Sequence, residues 1–212
     1  MKILVCVFAL VVMVMSCCGT QTQYNGNDTE TQNVNYIHIH HNSKIVLLGD
    51  SITAQLWENK LLDSHFINRG VGGDTTKQMY DRLPKIINSQ PEVCFIMAGV
   101  NDLFQAVPMA STLTNMEKIV TDLQKEGIRP VIQSVLYVVD SNWAKSHNKT
   151  TEKLNDEYKR ICEENGIDFI DVNSVLSEAG SLRKEFSSDG IHLNAKGNEV
   201  WIKFLLSLIV YD

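Results

Sequence analysis

A serine, an imidazole and a carboxylate can transfer an acyl group when the serine hydroxyl meets one ring nitrogen and the carboxylate meets the other. Ser51 stands in Gly49-Asp50-Ser51-Ile52-Thr53, between the apolar run Lys44-Ile-Val-Leu-Leu48 and Ala54-Gln-Leu-Trp57, which can start a helix. A serine at such a strand-to-helix turn sits where helix N–H groups favour developing negative charge. Asp189 precedes His192 by three residues in Ser188-Asp-Gly-Ile-His-Leu-Asn194. A short loop with this spacing can aim the carboxylate at one ring nitrogen and leave the other facing a site. Each fragment alone has a structural explanation, since Gly-Asp-Ser is turn chemistry, serine caps helices and a single histidine before a helix is commonplace.

Two further fragments end apolar runs in the same way. In Asn68-Arg-Gly-Val-Gly-Gly73-Asp74 consecutive glycines let the backbone approach a ligand and turn its N–H groups outward, either as a flexible turn or as an oxyanion donor at Gly73. The spacing is not the G-x-G-x-x-G of a dinucleotide site. Ala98-Gly-Val-Asn-Asp102 places the Asn101 amide at a third strand end.

The elements that must hold these fragments follow from hydrophobic period. Lys44–Leu48, His65–Asn68, Val93–Met97, Pro130–Leu136 and Asp168–Asp171 are expected strands, several continuously apolar as buried parallel strands are. Between them, Met79, Leu83, Ile86 and Ile87 make one helical stripe, opened by a Thr75-Thr-Lys-Gln78 capping box and expected to kink at Pro84. Leu113, Met116, Ile119, Val120 and Leu123 make a second, stopped by Gly127; Leu154, Tyr158, Ile161 and Cys162 a third, stopped by Gly166; Val200, Phe204, Leu205 and Leu208 a fourth. Alternating strands and helices imply a three-layer α/β/α sandwich on a parallel, flavodoxin-like sheet of about five strands, with ligands at the carboxyl ends of the strands.

Taken together and in this order, the four fragments resemble the SGNH, or GDSL-type, hydrolase family from about Lys44 to the C-terminus. Within it, Asn68-Arg-Gly-Val-Gly-Gly-Asp-Thr-Thr76 is most similar to the branch of platelet-activating-factor acetylhydrolase subunits and bacterial carbohydrate acetylesterases. The resemblance implies Ser51 as nucleophile, His192 as base and Asp189 as the acid that holds it. It also implies an oxyanion hole from the N–H groups of Ser51 and Gly73 and the side chain of Asn101. The Gly-x-Ser-x-Gly elbow of α/β-hydrolases is missing from the chain. The expected activity is hydrolysis of short-chain carboxylic esters, with an acetylated carbohydrate as the expected substrate. The rivals are a lipid esterase (lysophospholipase, thioesterase or acetylhydrolase) and, from another class, a surface lipoprotein that binds glycan without turnover.

Aromatic residues follow the first, third and fourth strands: Trp57, Phe104, Tyr137 and Trp143. Their loops can wall a pocket and stack on a sugar or acyl chain, with Asp50 beside the nucleophile as a further lining residue; simple packing is the competing role. His38, His40 and His41 lack a carboxylate or cysteine at ligand spacing and are expected to be an exposed lead-in rather than a metal site. No metal or other cofactor is expected. Cys94 and Cys162 fall at apolar positions and are expected to be buried free thiols.

The chain has 212 residues, 44% hydrophobic and 21% charged, which suits one globular domain. Its net charge of -6 and the lack of a basic stripe argue against nucleic acid. Residues 1–18 read as an export signal: Lys2, an apolar run from Ile3 to Met15 too short to span a bilayer, then Ser16-Cys-Cys-Gly19. Val14-Met-Ser-Cys17 resembles a bacterial lipobox, which makes Cys17 the expected lipidation site and the lipid the expected membrane contact; cleavage near Gly19 is the alternative. Residues 19–36 are polar and expected to be a tether, and residues 37–212 the catalytic domain of an exported, cell-envelope protein.

Overall fold

The computed structural model describes residues 36–58 and 61–212. The expected signal with Cys17, and all of the expected tether before Tyr36, lie outside the described residues. The chain divides into two units, Met1–Asn33 and Val34–Asp212, and the second is the one described.

In chain order the elements are β1 (Ile37–Ile39), β2 (Ile45–Gly49), α1 (Ser51–Ala54) running into a tight 3-10 turn, β3 (Phe66–Gly70), α2 (Thr76–Asp81), α3 (Leu83–Ile87), β4 (Val93–Met97), α4 (Val100–Phe104), α5 (Met109–Lys125) and β5 (Arg129–Gln133). There follow α6 (Ala144–Asn165), β6 (Asp168–Ile170), α7 (Asn173–Leu176), β7 (Ser177–Glu178), β8 (Ser181–Leu182), α8 (Ala195–Ser207) and β9 (Ile209–Tyr211). The central sheet has five parallel strands in the order β3-β2-β4-β5-β6. It is the expected three-layer α/β/α architecture. Every residue of β2 and β4 is buried, as the continuous apolar runs require of strands covered on both faces. The chain leaves β2 toward β3 on one side and returns to β4 on the other, so the carboxyl ends of β2 and β4 flank the topological switch point, where such sheets open a crevice.

Several boundaries differ from the sequence expectation, each for a local reason. The helix expected to kink at Pro84 is two helices, because α2 ends and α3 begins at Arg82; Pro84 then sits in a first turn, where its missing N–H costs nothing. The strand expected to reach Leu136 stops at Gln133. Beyond it, buried backbone is satisfied by asparagine side chains in place of a neighbouring strand. Asn155 bonds both the N–H and the C=O of Val135 (2.8 and 3.0 Å), and Asn148 does the same for Val138 (2.8 and 2.9 Å). Asn173 accepts from the Tyr137 N–H at 3.2 Å and donates to the Val135 carbonyl at 2.8 Å. A carboxamide carries one acceptor and one donor face, as a peptide group does, so it can stand in for a ladder.

The histidine-rich lead-in is not a free segment. Ile37 and Ile39 are fully buried in β1, which pairs in parallel with β9 and so ties the start of the domain to its end. His40 reaches Glu92 at 2.9 Å, His38 reaches Asp212 at 3.0 Å, and His41 stacks on Tyr211. Among the described residues no group of three or more His, Cys, Asp or Glu could hold a metal ion, and no helix is long and apolar enough to cross a membrane. In α8 the most buried positions are Trp201, Ile202 and Leu205, with Val200, Phe204 and Leu208 packed at the margin, because the Trp201 indole N–H is drawn inward to the buried Gln133 side chain at 2.8 Å. Cys94 and Cys162 are buried free thiols, each pushed up to about 12 by burial.

Candidate active site

The turn that carries Ser51 forms because two glycines allow it. A Cβ on Gly49 would lie 2.0 Å from the Thr53 hydroxyl, and one on Gly70 would lie 2.2 Å from the Ala54 nitrogen, so α1 packs directly on the ends of β2 and β3. Asp50 caps α1 by accepting from the Ile52 N–H at 2.9 Å, which leaves Ser51 as the first helical residue, half-buried at the crevice. The expectation that Asp50 lines a pocket is corrected by that cap, since the side chain turns under the helix and is 1% exposed. Desolvation raises its pKa to about 6 against the opposing pull of the Ile52 hydrogen bond and His192.

His192 reaches Ser51 across the crevice, with Nε2 2.9 Å from the Ser51 Oγ. Its Nδ1 lies 2.7 Å from Asp189 Oδ2. An ionised carboxylate can only accept, so Nδ1 carries the proton and Nε2 presents its lone pair to the serine hydroxyl. Asp189 is locked by its own loop: Oδ1 accepts from the Ile191 and His192 N–H groups at 2.9 and 2.8 Å. Burial opposes its ionisation, but the hydrogen bonds from His192 and those two amides outweigh it and hold the carboxyl well below the usual range. The loop is fastened on both sides. Gly190, at φ 86°, gives its carbonyl to the Val139 N–H at 2.8 Å, and Asn194 caps α8 by accepting from Gly197.

The glycines after β3 lie beside Ser51, for a Cβ on Gly72 would be 4.0 Å from that of Ser51. Gly73 has φ 81° with open space around it, a backbone that turns its amide outward without a side chain in the way. Asn101 sits in the first turn of α4, and its Nδ2 donates to the Asp74 carbonyl at 3.0 Å. One amide hydrogen is thus spent on orientation, which fixes the plane of the other.

Residues that sequence spacing did not single out hold this arrangement. Arg82 donates to Asp74 at 2.6 Å and to the Gly49 carbonyl at 3.0 Å, bridging the loop after β3 to the end of β2. Asp102, fully buried, accepts from the Thr76 amide and hydroxyl at 2.8 and 2.6 Å. A readable signal existed for Asp102 and for Asp74, the partner of Arg82, since each directly follows a residue already singled out, Asn101 and Gly73; Arg82 itself had none.

The expected pocket aromatics separate. Phe104 and Trp143 come together, 6.1 Å between ring centroids, in a hollow that also includes Leu103 and Ile191. Tyr137 is not with them; it lines another hollow, between α6 and the β7–β8 hairpin, while Trp143 stands in the turn that starts α6. The side chain of Trp57 lies outside the described residues.

Comparison with known proteins adds the following. The model of the GDSL-like lipase/acylhydrolase family matches residues 47–200. The N-acylneuraminate cytidylyltransferase of Streptococcus agalactiae serotype V is 28% identical over 155 residues, covering 73% of this chain and 36% of that protein, so the chain spans about a third of that relative's length. The isoamyl acetate-hydrolyzing esterase 1 homolog of Bos taurus is 26% identical over 201 residues, covering 78% of this chain and 81% of that one. A catalytic mutant of an acetylxylan esterase from Geobacillus stearothermophilus shares the fold, with a TM-score of 0.69 at 15% identity over 82% of this chain and 97% of that one.

Proposed function

The chain belongs to the GDSL-like lipase/acylhydrolase family, and on that premise we propose that it hydrolyses short-chain carboxylic esters with Ser51 as nucleophile. The observation that carries this reading is the unbroken relay from the Ser51 Oγ to His192 at 2.9 Å and from His192 to Asp189 at 2.7 Å. Ser51 attacks the ester carbonyl as His192 Nε2 takes its proton, and the imidazolium is stabilised by Asp189. The oxyanion that forms is met by the N–H groups of Ser51 and Gly73 and by the free amide hydrogen of Asn101. Collapse expels the alcohol, which receives the proton from His192, and leaves Ser51 acylated. Water then attacks the acyl-enzyme by the same route, with His192 again as base, and releases the acid.

We propose acetylated carbohydrate as the substrate and the bacterial cell envelope as the place of action. The acyl preference is supported by relatives named for isoamyl acetate and acetylxylan, and the sugar by acetylxylan and by N-acylneuraminate. Location rests on the signal-like residues 1–18 and on Cys17 as the lipidated residue.

The test joins labelling to a chain-length profile. A fluorophosphonate should modify wild-type protein at Ser51 and leave the folded Ser51→Ala protein untouched, and the rate on an ester series should peak at acetyl. Wild-type protein that resists the probe would sink the nucleophile. A rate that climbs through octanoyl would replace the acetyl assignment with a lipid one.

A further inference from the structure

Beside the imidazole the fold builds an aromatic floor that the ester chemistry itself does not need. The His147 ring lies flat against Phe104, with centroids 4.5 Å and planes 17° apart, and Trp143 meets His147 edge-on at 5.8 Å. Burial pulls the His147 pKa below its usual value, and among the described residues its Nε2 is buried without a partner. The ring is therefore neutral near pH 7 and acts as a third aromatic surface. Two of the three rings face solvent: Trp143 is 52% exposed and Phe104 42%. Single exposed apolar residues are ordinary, but two neighbouring rings make a contiguous patch of the kind that marks a ligand surface.

The hollow has a volume of about 610 Å³ and opens widely to solvent. Its lining joins Leu103, Phe104, Trp143 and Ile191 to the Ser146 and Thr150 hydroxyls, which donate to the Trp143 and Ser146 carbonyls at 3.0 Å and keep lone pairs to accept with. Its neighbours in the chain bear on which half of an ester it would serve. Ile191 directly precedes His192, and Phe104 follows Asn101 by one turn of α4. The leaving alcohol must lie against His192 Nε2 to receive its proton, so the hollow adjoins the alcohol side.

We propose that the Phe104–Trp143–His147 cluster is the subsite for the alcohol portion of the substrate and that its occupant is a pyranose ring, a reading that rests on the ester hydrolysis proposed above. A sugar ring presents C–H groups on its face and hydroxyls at its edge. The face matches the aromatic rings, and the edge hydroxyls can donate to the Ser146 and Thr150 oxygens or to solvent at the open mouth. A long acyl chain needs enclosure to leave water, and this open hollow does not offer it.

The test compares an acetate that bears a ring with one that does not, monoacetylated methyl glucopyranoside against ethyl acetate, on wild type, Trp143→Ala, Phe104→Ala and Trp143→Phe. Either alanine variant should raise KM for the sugar ester about tenfold with kcat kept, and should leave ethyl acetate unchanged; Trp143→Phe should recover most of the loss. Equal losses on both substrates would make the cluster a structural support, and no loss on either would remove it from the site; each overturns the proposal. Octanoyl esters losing more than the sugar ester would assign the hollow to the acyl chain and overturn it as well. A second measurement does not depend on turnover: xylobiose or cellobiose should shift the tryptophan emission of the wild type but not of Trp143→Phe. Disaccharide binding without hydrolysis of any acetate would uphold the subsite while refuting the esterase, and hydrolysis of acetates with no emission change would do the reverse.

Discussion

Replacing Asp50 with asparagine should stabilise the folded protein above pH 6 and leave it unchanged near pH 3. The carboxyl is 1% exposed, its Oδ1 caps α1 through Ile52, and its Oδ2 has no partner among the described residues. Desolvation, aided by Asp74 and Asp102, raises its pKa from 3.8 to about 6. At 1.36 kcal/mol per pH unit the difference corresponds to about 3 kcal/mol. The folded state holds this proton more tightly than the unfolded chain does, so stability falls as pH rises from 3.8 to 6 and stays at its lower value above that. Asparagine keeps the oxygen that caps Ile52 and cannot ionise. Its NH2 inherits the unpartnered position, which the carboxylic acid's own O–H occupies at low pH, so that cost of about 1–3 kcal/mol is common to both proteins there. Urea unfolding of the two proteins at pH 3, 4, 5, 6 and 7 should give difference values that grow by about 3 kcal/mol and level off past pH 6. Parallel profiles across that range would refute the assignment of a strained, buried carboxylate beneath the nucleophile.

Ser51→Ala should lower kcat on an acetate ester by about 10⁶ and Asp189→Ala by about 10⁴, because the acid orients and stabilises a base that can still act without it; steady-state rates per mole of folded protein would check the order. Asn101→Ala should lower kcat by about 10²–10³ with little change in KM, since its donor matters most once charge develops on the carbonyl oxygen, and a rise in KM alone would make it a binding residue. Gly70→Ala should cost about 3 kcal/mol or more in unfolding experiments, because the new Cβ would collide with Ala54 backbone at 2.2 Å. Gly73→Ala meets open space and only the left-handed backbone penalty of about 1–2 kcal/mol, so its stability should suffer less than its kcat.

The five central strands were legible because β2, β4 and β5 are runs of apolar residues too short to be helices and bounded by turn residues. The outer pairs were not. In β1 the two isoleucines alternate with histidines over only three residues, and the partner that buries them, β9, lies at the other end of the chain. The extended segment after β5 was read as strand because it is apolar, yet its hydrogen bonds go to Asn148, Asn155 and Asn173. That substitution had a trace in the sequence: Asn148 and Asn155 lie seven apart on the buried stripe of α6, where an asparagine without a backbone to satisfy would be costly. At the site, fragments at strand ends could be read from spacing, because the sheet brings all its carboxyl ends to one edge. Tyr137 could not be separated from Trp143 that way, since the chain turns between them into α6 and proximity in sequence does not say where that turn carries a ring.

What holds the proposed oxyanion donors in place is a set of contacts away from any substrate, and Arg82 is the one that joins two loops. Its guanidinium reaches the Asp74 carboxylate and the Gly49 carbonyl together, while the carbonyl of that same Asp74 orients Asn101. A planar fork can serve two acceptors at fixed angles, and an ammonium cannot do so with the same rigidity. Arg82→Lys therefore keeps the charge beside Asp74 but frees the loop carrying Gly73 from the strand carrying Ser51. Misplacement of donors by even 1 Å can cost about a hundredfold in rate, so a partial loosening should lower kcat about tenfold. KM should hold, since ground-state binding does not rely on the oxyanion donors, while labelling should slow with kcat, since phosphonylation also builds charge on an oxygen in the same hole. An Arg82→Lys protein whose kcat and labelling rate both match wild type would mean that the loop keeps its geometry by packing alone, and that the bridge to Gly49 is incidental.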